Sequence, residues 1–151
     1  MPPSPRHRGR CNHALGERPR ALRYTQRMPA KQPEDMPATF ETAFNTGNIE
    51  QVLALYEADA VMVPQPGQMV RGADAIREVL FGFLGLKLPI HIERKRVLVN
   101  GEVALVSSTW KLSGTGPDGS SVDLGGNTTE VIRRQADGTW RYAIDDPFSI
   151  I

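Results

Sequence analysis

Residues 90–148 read IHIERKRVLVNGEVALVSSTWKLSGTGPDGSSVDLGGNTTEVIRRQADGTWRYAIDDPF. Three turn signals divide this stretch: Asn100-Gly101, Pro117-Asp118-Gly119 and Asp137-Gly138. Asn-Gly and Asp-Gly supply the positive backbone angles that tight hairpins need. The runs between them are rich in Val, Ile, Thr, Trp and Tyr, residues that suit a pleated, half-buried surface. The pattern predicts a four-strand antiparallel meander with strands near Ile90–Val99, Glu102–Gly114, Ser120–Arg134 and Thr139–Phe148.

The chain before the meander has a different period. Pro33-Glu34-Asp35 opens a helix with acids at its N-terminus, where the helix dipole favours them. Phe40, Ala43 and Phe44 continue it as an apolar stripe, and Asn45-Thr46-Gly47 ends it. Asn48 is an N-cap for a second helix that turns Val52, Leu53, Leu55 and Tyr56 inward. Ala60–Val63 and Met69–Arg71 form a short strand pair. Gly72 leads into a third helix with Ile76, Val79, Leu80, Phe83 and Leu84 on one face, closed by Gly85 and Pro89. Helices first and a meander last predict an α+β fold, with three helices packed on a curved, mainly antiparallel sheet.

The second long strand alternates unusually. Ala104, Val106, Ser108, Trp110 and Leu112 point one way, and Val103, Leu105, Ser107 and Thr109 the other. Both faces are at least half apolar, whereas a sheet with one wet face alternates more cleanly. One face is therefore expected on the helices and the other against a second copy, in a homodimer through the outer sheet face. Gly125-Gly126 is expected to mark a bend or bulge. In Arg94-Lys95-Arg96, strict alternation points both arginines one way and Lys95 the other, as a solvated edge or as ion-pair partners.

With 151 residues the chain has room for one core. The sequence has no apolar run near 18 residues, so no membrane helix is expected. The single Cys11 makes no internal disulfide, and nothing calls for an oxidising compartment, so the reading is cytoplasmic. No His or Cys pair has zinc spacing, and no metal or cofactor is expected.

Charge is uneven along the chain. Residues 1–31 hold eight of the 18 basic groups and one of the 17 acidic ones, which leaves 10 and 16, a net of −6, for residues 32–151. The domain is placed at 32–151, and the Pro-rich basic arm at 1–31 is expected to be disordered. Three origins stay open for it: an upstream extension from a misassigned start, a polyanion contact, or a targeting segment. Nucleic acid is disfavoured as a partner, because Tyr24 is the arm's only aromatic and gives no stacking platform.

Several motifs follow in an order that resembles the nuclear transport factor 2-like (NTF2-like) superfamily. Phe40-x-x-x-Phe44-Asn45-Thr46-Gly47-Asn48 resembles its first helix ending. Leu55-Tyr56-Glu57-Ala58-Asp59-Ala60-Val61 is similar to its helix-to-strand step, and Arg71-Gly72-Ala73-Asp74-Ala75-Ile76-Arg77 to its third helix start. Asp137-Gly138-Thr139-Trp140-Arg141-Tyr142 is similar to its last hairpin. The ending Ile144-Asp145-Asp146-Pro147-Phe148-Ser149 resembles the small bacterial branch labelled SnoaL-like or DUF4440. The resemblance spans about Pro33 to Ser149. It implies a cone enclosing a mostly apolar pocket, with frequent homodimers. It also implies relatives that include isomerases, cyclases and dehydratases working without a cofactor.

Such enzymes use one carboxylate in a dry cavity as a proton shuttle and a second polar group to polarise a carbonyl. Asp145 and Asp146 are the carboxylate candidates. Alternation lets only one face the cavity, and Asp145 is favoured, with Asp146 left to cap the Pro147 turn or pair with an arginine. Tyr56, taken as the end of the second helix, is the candidate hydroxyl donor. Its alternative is a packed ring with a backbone-bonded hydroxyl. His91, Asn127 and Thr129 are candidate polar contacts in the pocket. The plainer readings are an edge histidine and cross-strand pairing. Met62 and Trp110 are expected to line the wall or fill the core. The reading is a pocket protein for a small apolar or partly polar molecule, either a binder or a cofactor-free isomerase, cyclase or dehydratase. The alternative is a non-catalytic homodimeric interaction or assembly module.

Overall fold

The computed structural model describes residues 29–149. The basic arm up to residue 28, Cys11 included, lies outside the described residues. After a 3-10 turn at Pro33–Asp35 come helices α1 (Met36–Asn45) and α2 (Ile49–Leu53) and strands β1 (Tyr56–Met62) and β2 (Val70–Arg71). Helix α3 (Ala73–Leu84) and strands β3 (Ile90–Asn100), β4 (Val103–Thr115), β5 (Ser121–Arg134) and β6 (Trp140–Asp146) complete the domain.

The meander forms as the turn chemistry predicts. Gly101, Gly119 and Gly138 carry φ of 62°, 83° and 81°. In the last two turns an aspartate helps fix the loop. Asp118 Oδ1 accepts from Ser120 N at 2.9 Å and Oγ at 2.6 Å. Asp137 Oδ1 does the same with Thr139 N at 2.9 Å and Oγ1 at 2.6 Å.

The sheet runs β2-β1-β6-β5-β4-β3, curved and unclosed, with the helices packed against it. Its one parallel pair is β1 with β6, and it brings Tyr56 beside Tyr142 and Met62 beside Asp145. Helix α2 is shorter than expected. Tyr56 does not end it but opens β1, because Leu55 O already accepts from Tyr142 N at 2.8 Å and so ties this segment to the sheet. The core continues back to Ala30, which is buried and whose carbonyl accepts from Trp140 N at 2.9 Å.

Two bulges break the alternation that the sequence suggests. In β3, Arg94 opposes Ser108 while Arg96 opposes Ser107, so Lys95 is an extra residue. Directly opposed residues share a face. Arg94 and Arg96 therefore lie on opposite faces, contrary to the expectation from strict alternation. In β6, Tyr142 opposes Ile132 while Ile144 opposes Val131, which makes Ala143 the extra residue. Gly125-Gly126 is not a bulge, since its register with Lys111 and Trp110 is unbroken. A Cβ on Gly126 would lie 2.8 Å from Pro147 O and 3.3 Å from Trp110 Nε1, so glycine here admits the C-terminal segment.

Helix α1 protects the start of the edge strand β3. Asn45 pairs with Ile90 as a neighbouring strand would, accepting from its N–H at 2.8 Å and donating to its carbonyl at 3.0 Å. Glu41 Oε2 accepts from Ile92 N at 2.7 Å. This side-chain imitation of a strand blunts a sheet edge that would otherwise offer free backbone groups. Asn45→Ala is expected to lower unfolding stability by about 1–2 kcal/mol, the net worth of two such bonds, as read from urea denaturation.

Candidate active site

Between the helices and the concave sheet face lies a cavity of about 60 Å3. Helix α1 contributes Pro37, Phe40 and Phe44, and α3 contributes Leu80 and Phe83. From β3 and β4 come Ile90, Ile92, Trp110 and Leu112. Polar groups enter from the other side: Thr128 and Glu130 of β5, and Tyr142 and Asp145 of β6. The lining holds no Lys, Arg or His.

The β6 bulge decides which aspartate enters. Trp140 and Tyr142 are buried on the inner face, and uninterrupted alternation would send Ile144 and Asp146 after them. The extra Ala143 reverses the parity. Ile144 is 44% exposed and Asp145 only 6%. Asp145 then stands directly opposite Glu130, itself 6% exposed. Bulges of this kind re-aim side chains beside active sites.

Tyr56 donates from its hydroxyl to Asp145 Oδ2 at 2.5 Å. Its ring packs 5.1 Å from Tyr142 and edge-on to Phe40. Glu130 Oε2 is buried with no hydrogen-bond partner. Trp110 donates to Pro147 O at 2.7 Å and lies edge-on to Phe83 and Phe148, so the segment after Asp146 closes one side of the cavity.

Burial raises both inner carboxyls. Asp145 is pushed up to about 6, first by desolvation; the Tyr56 hydroxyl pulls it down and neighbouring Asp146 pushes it up. Glu130 is pushed up to about 8 by desolvation and then by the charge of Asp145, with Thr128 pulling it down. The two acids titrate as a pair, and the Tyr56 hydrogen bond favours the charge on Asp145. The hydroxyls of Tyr56 and Tyr142 are raised well above the usual range, chiefly by burial, and stay protonated. The raised carboxyls draw the pair toward sharing a proton, beside two phenols.

The sequence candidates divide between the two faces. Asp145, Tyr56, Met62 and Trp110 meet at the cavity, with Tyr56 reaching it through its bond to Asp145. Asp146 does not enter. Its Oδ1 accepts from Phe148 N at 3.1 Å and caps the Pro147 turn. His91 is also outside, because Ile90 and Ile92 take the inner positions; its side chain is 80% exposed and lies 3.5 Å from Glu41 Oε2. Asn127 and Thr129 lie on the outer face opposite Thr109 and Ser107. Ser149 Oγ reaches Asn127 O and Thr129 Oγ1, each at 3.1 Å. Among the described residues no His, Cys, Asp and Glu group could hold a metal.

A family model for the SnoaL-like domain matches residues 38–143. The chain belongs to the SnoaL-like family, within the NTF2-like superfamily. Among solved structures it is similar to a ketosteroid isomerase-like protein from Erwinia carotovora atroseptica. The two are 26% identical over 75% of this chain and 89% of that one, with a TM-score of 0.65. It also resembles a candidate dehydratase of the NTF2-like family from Streptomyces avermitilis, at 20% identity over 76% and 90% of the two chains, TM-score 0.62. A candidate calcium/calmodulin-dependent protein kinase II association domain from Xanthomonas campestris is 22% identical over 78% and 86%, TM-score 0.65. The comparison with curated proteins returned no match. No helix among the described residues is long and apolar enough to cross a membrane.

In this SnoaL-like chain, sequence reasoning missed Glu130. A usable signal was present. Even-numbered positions of β5 carry Val122, Leu124 and Ile132, and odd ones only Val131, so the even face is the inner one and Glu130 lies on it.

The raised carboxyls predict a pH dependence of stability. A carboxyl with a higher pKa folded than unfolded binds more protons in the folded state, so stability falls as pH rises between the two values. Glu130 places that window between about 4.5 and about 8. Thermal unfolding followed from pH 5 to 9 is expected to show this decline, and Glu130→Gln is expected to flatten it and to be the more stable form at pH 8.

Proposed function

We propose that this SnoaL-like protein binds a small carbonyl compound and moves a proton on it without a cofactor, as isomerases, cyclases and dehydratases do. One observation carries the reading. Asp145, held by the Tyr56 hydroxyl, stands directly opposite Glu130 in an otherwise largely apolar cavity without a basic side chain. Asp145 takes a proton from carbon next to the carbonyl, and the Glu130 carboxylic acid hydrogen-bonds the oxygen as negative charge gathers there. Return of the proton to another carbon completes an isomerisation. Where a hydroxyl lies beyond the acidic carbon, Glu130 gives it a proton, water leaves, a double bond forms, and the proton held by Asp145 passes to the facing Glu130 to restore both acids. Tyr56 orients Asp145 through their hydrogen bond. The cavity's 60 Å3 suits a compact substrate, or the reacting end of a longer one; an engineered void of about 150 Å3 holds benzene. A cytoplasmic, bacterial setting belongs to this proposal.

Proton NMR of 2-butanone and cyclopentanone in D2O with the full chain tests it. The protein is expected to speed loss of the α-proton signals, with a maximum between about pH 6 and 8. Asp145→Asn should slow exchange by about 100-fold or more. Exchange no faster with wild type than with Asp145→Asn would overturn the reading.

The second reading, a homodimeric assembly module, is favoured by apolar residues left open on the sheet. Leu98 is 53% exposed, Val103 37% and Ile144 44%. Pairing of two outer faces would cover them and is compatible with catalysis. Light scattering at micromolar concentration should give twice the 16.7 kDa chain mass; a single-chain mass would exclude the dimer.

A further inference from the structure

The cavity holds two inward carboxyls and no protein cation. Glu130 and Asp145 are each 6% exposed, and the lining contains no Lys, Arg or His. The other titratable groups nearby are Tyr56 on β1, with Tyr142 and the outward Asp146 on β6. What α1, α3, β3 and β4 present to the cavity is apolar or aromatic. Two buried acids without a counter-charge are costly, and a protein relieves that cost by taking up protons or a cation.

Three further features suit a cation. Glu130 Oε2 is buried without a hydrogen-bond partner, so this carboxyl lacks a contact that an N–H donor could supply. The rings of Phe40, Phe83 and Trp110 line the walls and give the apolar part of an organic cation a surface to pack on. Residues 32–151, which hold the cavity, carry a net charge of −6, against +7 on residues 1–31. The head group of an anion would instead face two acids with no basic side chain in the lining.

We propose that this cavity binds small organic cations, the simplest being a protonated primary amine with a short apolar tail, its ammonium held by Asp145 and Glu130 and its tail against the aromatic wall. Binding shares the cavity of the proposed reaction but not its chemistry. An amine that fits would block that reaction by occupying the carboxyls. Because the cation favours ionised acids, its binding expels protons and tightens as pH rises from 5 to 8.

A matched four-carbon series tests this: n-butylammonium chloride, 1-butanol and sodium butyrate, titrated calorimetrically into the full chain at pH 7.5 and constant ionic strength. Butylammonium is expected to bind about tenfold or more tighter than 1-butanol, with butyrate the weakest. The preference should shrink at pH 5 and disappear in the Asp145→Asn/Glu130→Gln double variant. Equal binding of amine and alcohol by wild type, or butyrate binding as well as the amine, would overturn the proposal, and neither depends on a variant folding. An amine preference that persists in a folded double variant would also overturn it, by placing the site elsewhere. Ketone exchange can fail while amine selectivity holds, so the two proposals fail separately.

Discussion

Glu130 and Asp145 face each other across two neighbouring strands, inside a cavity that offers them no positive charge. Much of the domain's arrangement follows from that. Both acids are buried beneath α1 and α3, so the charged form of each is disfavoured and they titrate as a coupled pair. Tyr56 and Thr128 are the groups that moderate this cost, and both approach from the sheet side. A sheet with a solvated inner face would leave two ordinary surface carboxylates.

The geometry rests on features that have no chemical role themselves. Ala143 turns Asp145 inward by adding one residue to β6. Gly126 leaves room for Pro147 O, which accepts from Trp110, so the chain after the aspartate pair folds back over the cavity wall. Asn45 and Glu41 hold β3 at the opposite side, where Ile90 and Ile92 enter. Each fixes a wall or a direction, and the acids gain their unusual protonation from the enclosure that results. Membership of the SnoaL-like family fits this division of labour, since one scaffold can serve several chemistries through a few inward side chains.

Sequence reading located the helices and the meander because they depend on local signals. The hairpins follow from Asn-Gly and Asp-Gly, and α3 from the spacing of Ile76 and Leu80. Trp110 and Met62 are legible as wall or core residues from their apolar character alone, since both faces of their strands are largely apolar. Asn127 and Thr129 fall on the outer face and Glu130 on the inner one; the parity that tells them apart rests on Val122, Leu124 and Ile132, which lie at the two ends of β5 and not beside these polar residues. Tyr56 was placed on a helix because its pairing partner, Tyr142, lies 86 positions away in sequence.

The amino-acid sequence by itself determined an α+β domain with three helices, a meander and a terminal aspartate pair, because turn residues and apolar periodicity act over a few neighbours. Only the tertiary structure decided which carboxyls share the cavity. That choice depends on the register of β5 against β6 and on a bulge at Ala143, and a one-residue shift carries each following side chain to the other face. No local propensity encodes such a shift. It is set by how the packed strands meet the helices.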